Sequence, residues 1–258
     1  MPNTTKATNA TNATNATDAG DSAAQRLRDS LASVRALRAA ARADPALEAA
    51  RLALRAWQAQ RLERTYPDLL ASERYRPAAA FFLSDLYGPK DVTARDDGVA
   101  RILPTLERVM PEAALDAIAR AIELDALSER LDLAVAGRLE RRQGEAAITD
   151  SAYAAAYRAA SPRAERERQI ALLGDIGALL DRLAHKPLLA GAIRMMEAPA
   201  RRAGLGALHD FLARGLLAFR HMHGAGEFLR IVDTRERLIN DRIFGGDPAP
   251  LAPLDQTA

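Results

Sequence analysis

Between residues 22 and 246 the apolar side chains recur at three- and four-residue steps, and no stretch alternates β-branched residues at a two-residue step. The first spacing lines one face of an α-helix, and the second is what a half-buried strand requires. Leu27, Leu31, Val34, Leu37 and Ala41 set the pattern. Ala, Leu, Arg and Glu recur throughout, and these residues lose little rotamer freedom in a helix. The chain is therefore expected to be all-α, a single multi-helix bundle of about eight to ten helices with a long C-terminal helix.

Proline and glycine mark where those helices end. Asp44-Pro45 offers a capping carboxylate followed by a residue suited to the first helical position, which divides a helix over 22–42 from one over 45–65. Tyr66-Pro67 breaks or bends the second, and a short turn over 68–73 follows. A helix over 77–87 carries Phe81, Phe82, Leu83, Leu86 and Tyr87 and stops at Gly88-Pro89. After a polar loop, Asp96 or Asp97 caps a helix with Val99, Ile102, Leu103, Leu106 and Val109, and Pro104 inside it is a candidate kink. The stretch 112–141 reads as one helix or two, because its apolar residues spread beyond one narrow face. Thr149 or Asp150 caps a short helix with Tyr153 and Tyr157, and Ser161-Pro162 opens another to about 185. A shorter helix starts at Pro187 and closes near Pro199. The last and longest is expected over 205–244, ended by Gly245-Gly246.

Residues 22–246 are thus expected to form one helical domain. Residues 1–21 read as a disordered low-complexity tail, since the repeated Asn-Ala-Thr triplets have no apolar side to bury. Those triplets also spell glycosylation acceptors, a coincidence when the chain starts without an apolar signal segment. Residues 247–258 read as a mobile C-terminal tail.

Composition excludes several chemistries. With no cysteine there is no disulfide, thiolate nucleophile or Cys-based metal site. No run of 18 apolar residues spans a membrane, and a cytoplasmic location is expected. The net charge of +2 is not that of a strong nucleic-acid binder. Only Lys6, Lys90 and Lys186 are lysines, so the cations are almost all arginine, which suits buried or interfacial ion pairs.

Two segments hold candidate site residues. His221 and His223 lie two apart and cannot share one metal on a helix. His223 and Glu227 are four apart and share a helical face, yet two ligands do not make a metal site and His-Glu-x-x-His is absent. Gly224 and Gly226 lie in the middle of the expected long helix, where close approach of another helix, a kink or a ligand would account for them. The second segment gathers Tyr87, Asp91, Arg95 and Asp96, with Asp85, Lys90 and Asp97 nearby. Its carboxylates fit helix caps and salt bridges at a corner, or alternatively acid–base work or a divalent cation, though no calcium-loop spacing is met. The mixed charges Asp233, Arg235, Glu236, Arg237 and Asp241 read as solvent-exposed pairs. No phosphate-binding glycine loop, dinucleotide fingerprint or nucleophile elbow is present. No catalytic residue, metal or cofactor is assigned.

The run Phe81-Phe82-Leu83-Ser84-Asp85-Leu86-Tyr87-Gly88-Pro89-Lys90-Asp91 resembles the signature of a bacterial family named for the letters FFLEELY, with Ser84 and Asp85 where the name has two glutamates. Arg95-Asp96, Leu103-Pro104, Met110-Pro111, Glu227-Phe228-Leu229 and Arg235-Glu236 are similar too, and the likeness covers about residues 25–245. It implies a helical bacterial protein and carries no substrate, cofactor or catalytic residue.

With no catalytic constellation, the expected function is interaction with a protein partner or self-association as a homodimer, enzymatic activity being left open. A contiguous exposed apolar patch of several hundred Å² would favour it. The alternative is a small-molecule-binding or enzymatic pocket between helices, using Tyr87, His221, His223 and the nearby aspartates.

Overall fold

The computed structural model describes residues 22–86, 93–109, 112–143 and 147–254. Asp44 and Pro45 act as their chemistry requires. Helix α1 (Ala23–Ala43) ends at Asp44, whose Oδ1 accepts from the Ala46 and Leu47 amides at 3.1 and 3.2 Å and so starts α2 (Pro45–Thr65). Ser22 caps α1 through the Gln25 amide, and Thr149 caps α7 (Asp150–Ala160) through that of Ala152. Between them come α3 (Pro67–Ala71), α4 (Arg76–Phe81), a π-helical turn Phe82–Leu86, α5 (Thr93–Val109) and α6 (Glu112–Gln143). The chain continues through α8 (Arg163–Ala184), α9 (Pro187–Arg202), α10 (Gly206–His221) and α11 (Gly226–Gly245). The described residues thus form an all-α bundle of eleven helices, and α11 is its long C-terminal helix.

Helix α6 is the axis. Its 32 residues make one helix, and α1, α2, α7 and α8 pack around it. That arrangement accounts for its wide apolar band: a helix covered on several sides buries residues all round. Leu115 and Ala119 join Leu27, Leu31 and Val34 of α1, while Val135, Ala136 and Leu139 join Leu54, Trp57, Tyr153 and Ile239. A further cluster gathers Leu62, Leu69, Phe81, Phe219, Met222 and Phe228 from α2, α3, α4, α10 and α11. Gly215 admits Phe81 to α10, since a β-carbon there would lie 3.0 Å from the ring.

The expected continuous helix over 205–244 is divided. Between α10 and α11 His223 takes φ 52° and Gly224 φ 116°, values that end a right-handed helix. Arg74 supports the break from outside: its Nε donates to the Met222 carbonyl at 2.7 Å and its Nη2 to that of Gly224 at 3.1 Å. A β-carbon on Gly224 or Gly226 would meet nothing within 4 Å, so close packing explains neither, and the positive φ of Gly224 at the helix break accounts for that glycine alone. By contrast α5 and α9 continue through Pro104 and Pro199.

Arginines are built into the interior. Arg38 of α1 and Arg51 of α2 converge on Glu129 of α6, donating at 2.8 and 3.2 Å, and all three are buried. Arg166 of α8, 2% exposed, lies 4.2 Å from the Tyr157 ring centre and 3.5 Å from Asp132. Burial raises the Asp132 carboxyl above its ordinary range against the pull of Arg166 and of the Gln58 hydrogen bond. Burial likewise pulls the Arg55 guanidinium down, opposed by Glu129.

Candidate functional site

The charged residues late in α11 do not lie in solvent together. Arg235 is buried and donates to both Asp68 oxygens at 2.7 and 2.8 Å and to the Thr65 carbonyl at 3.1 Å. The hydrogen bonds from Arg235 outweigh burial and hold the Asp68 carboxyl below its ordinary range. Glu236 receives Arg61 at 2.6 and 3.1 Å and the Tyr66 hydroxyl at 2.8 Å. Burial alone would pull Arg61 down, but the Glu236 charge prevails and raises it. The Nε of Arg61 finds no acceptor among the described residues. Only Arg237 with Asp233, and Asp241 with Arg163, form the exposed pairs expected of this stretch.

Glu236 reaches the edge of a cavity of about 60 Å³ whose other walls are apolar apart from the Tyr66 ring. It is lined by Leu62, Leu69 and Leu70, by Phe82 and Leu83 of the π-helical turn, and by Phe228, Leu229 and Val232 of α11. Phe82 stacks on Phe228 with ring centres 5.7 Å apart, so the aromatic pair at 81–82 serves the core and the cavity wall. A second hollow, about 390 Å³, is lined by Arg26, Asp116, Arg120, Glu123 and Arg168. Its charges pair with each other, Arg26 and Arg120 with Asp116 and Arg168 with Glu123.

Tyr87 and Asp91 lie outside the described residues, as do the side chains of Arg95 and Asp96 at the start of α5. His221 is exposed at the end of α10 and its Nε2 donates to the Glu73 carbonyl at 3.0 Å. His223 is exposed in the turn. Glu227 is in the first turn of α11, where it receives the Tyr75 hydroxyl and pairs with Arg74 at 3.5 Å. The helix break separates His223 from Glu227, so they do not share a helical face. Neither histidine lines the cavity. Among the described residues no three His, Asp or Glu side chains gather as a metal site. The basic residues of α1 are engaged within the chain: Arg38 with Glu129, Arg26 with Asp116, and Arg35 with Asp97 at 3.2 Å.

Helix α9, expected from Pro187, leaves much of its apolar surface in solvent. Leu189, Ile193 and Ala200 turn inward, and His209 of α10 donates to the Ile193 carbonyl at 2.9 Å. Leu188 is 89% exposed, Met195 80% and Met196 54%, and Ala192 and Pro199 beside them are exposed as well. At 100° per residue these five positions share one side of the helix. Leu217 of α10, 66% exposed, lies two turns on from His209. The polar residues Arg194, Glu197 and Arg201 keep to a narrow strip on the far side of α9. Sequence periodicity signals the apolar content of α9, but the outward side depends on where α10 lies.

The described residues make an all-helical protein whose helices include none long and apolar enough to cross a membrane. The profile of DUF8198, a domain of unknown function, matches residues 37–250, and the chain belongs to that family. This supports a helical domain without singling out the FFLEELY-named family that residues 81–91 resemble. No curated protein and no solved structure matches the chain at a significant level.

Proposed function

We propose that this protein works by docking a protein partner, and that the solvent-facing side of α9, with Leu217 of α10, is the docking surface. The observation that carries this is the exposure of Leu188, Met195, Met196 and Leu217 on neighbouring helices. Large apolar side chains grouped in this way mark interaction sites. Burying each would contribute on the order of 1.5–3 kcal/mol, and methionine adapts to irregular partners.

Charge selects the occupant. Residues 186–221 hold six cations, Lys186 with Arg194, Arg201, Arg202, Arg214 and Arg220, against the carboxylates Glu197 and Asp210. That is a formal +4 within a chain of +2, leaving −2 for the rest. Arg194, Glu197 and Arg201 lie on the far side of α9, but the exposed Arg202 shares the side of Met195, and the exposed Arg214 and Arg220 stand one turn either side of Leu217. A second copy meeting this face would therefore bring like charges together, whereas an acidic partner with an apolar ridge or groove would be drawn to it. The partner in this proposal is an acidic protein. A folded unit over residues 22–246, a cytoplasmic location and the FFLEELY likeness of residues 81–91 belong to the same proposal.

The test places a photo-crosslinking residue at Met195 of the full chain in its own cells. A heterologous adduct is expected. Its protein, once purified, should bind the chain with an affinity that falls as salt rises and that Met195→Glu abolishes. Adducts only between copies of the chain, or a partner that binds Met195→Glu unchanged, would overturn the proposal.

A further inference from the structure

The chain holds no cysteine, so its oxidisable sulfur is all in methionine thioethers. Three methionine side chains fall among the described residues, and they divide sharply. Met222 is 0% exposed, in the core cluster with Phe219 and Phe228. Met195 and Met196 are neighbours in α9 and stand in solvent, 80% and 54% exposed. Susceptibility to oxidation follows exposure. An oxidant dissolved in water therefore reaches the α9 pair while the protein is folded, and reaches Met222 only when it unfolds. Both exposed methionines lie on the same side of α9 as Leu188, within the proposed docking surface.

On the reading of α9 as a docking face, on which this step rests, we infer that Met195 and Met196 form a reversible oxidation site for hydroperoxides that turns docking off. The sulfur lone pair attacks one peroxide oxygen. An S–O bond forms as the O–O bond breaks, and the departing hydroxide takes the proton of the transferred hydroxyl and leaves as water. Sulfur gives up two electrons and the peroxide gains them. The product is a sulfoxide, polar where the thioether was apolar. A partner that covers α9 must then strip water from the new oxygen, which is unfavourable unless a donor replaces it. The fold is spared, because neither side chain belongs to the core. Reversal needs two thiols, which release the oxygen as water and become a disulfide. This chain has no cysteine to supply them, so the reductant is a separate methionine sulfoxide reductase.

The test uses the full chain with a photo-crosslinking residue at Leu188, which leaves both methionines in place. The chain alone is treated with hydrogen peroxide, freed of it, and mixed with a desalted lysate of its own cells. Peptide mass spectrometry should find one oxygen added to Met195 and to Met196 at least about tenfold faster than to Met222. The yield of heterologous adduct should then fall by about tenfold or more. It should return after treatment with sulfoxide reductases of both stereospecificities and dithiothreitol. Met195→Leu with Met196→Leu keeps apolar side chains without sulfur, and whatever its starting yield, peroxide should not alter it. Equal oxidation of all three methionines, an adduct that survives oxidation of the α9 pair, or an equal fall in the double variant would overturn the inference and leave docking intact. No heterologous adduct from the untreated chain would remove the docking reading itself, and the switch with it.

Discussion

Replacing Glu129 by glutamine removes the charge on which two buried arginines converge while keeping the side chain's volume. Glu129 receives Arg38 at 2.8 Å on one oxygen and Arg51 at 3.2 Å on the other, and its side chain is 5% exposed. Breaking a buried pair from one side costs about 3–5 kcal/mol, because the remaining charge stays out of water without its partner. Here the arginines keep other anions: Asp125 lies 2.9 Å from Arg38, and Glu48 lies 2.8 Å from Arg51. The lower end applies, about 3 kcal/mol. For a chain of this size a urea dependence near 3 kcal/mol per molar is appropriate, so the midpoint should fall by about 1 M. The loss should be nearly the same in low and high salt, since water and ions do not reach the pair. Arg38→Met combined with Glu129→Met should cost less than the two changes separately, because each single change strands a charge that the double change removes. A midpoint shift for Glu129→Gln below about 0.2 M, the size of an ordinary surface change, would refute the reasoning.

Three further outcomes are expected. Gly224→Ala should destabilise by about 1–2 kcal/mol through backbone strain alone, since φ is 116° and the space is open. Gly226→Ala, with no positive φ and no neighbour, should be neutral or stabilising by up to about 1 kcal/mol in the same thermal unfolding. The hydrogen bonds from Arg235 hold the Asp68 carboxyl below the usual carboxylate range, so the pair adds stability above that range and loses it as pH falls through the lowered value. Unfolding of Asp68→Asn against the native chain should therefore differ most at neutral pH and converge in acid; a constant difference would count against the pair. Leu188→Glu with Met195→Glu should leave the unfolding free energy within about 0.5 kcal/mol of native, because both side chains already lie in solvent. A large loss would mean that these residues stabilise the bundle.

How far the sequence carries depends on the distance over which each feature is determined. The boundary at Asp44-Pro45, the span 45–65 of α2 and the Thr149 cap follow from a few adjacent residues, and periodicity finds them. The arginine-rich composition also points towards interior ion pairs, which Arg38, Arg166 and Arg235 form. The fates of Arg235 and Glu236 are set by Asp68 and Arg61, more than 160 residues away. Local spacing therefore misplaces both in solvent. Gly224 and Gly226 mark a special place in the chain, but Arg74, which holds the break, comes from another element. Met196 lies at helical spacing from Leu189 and Ile193 and still opens to water, because α10 covers only part of α9.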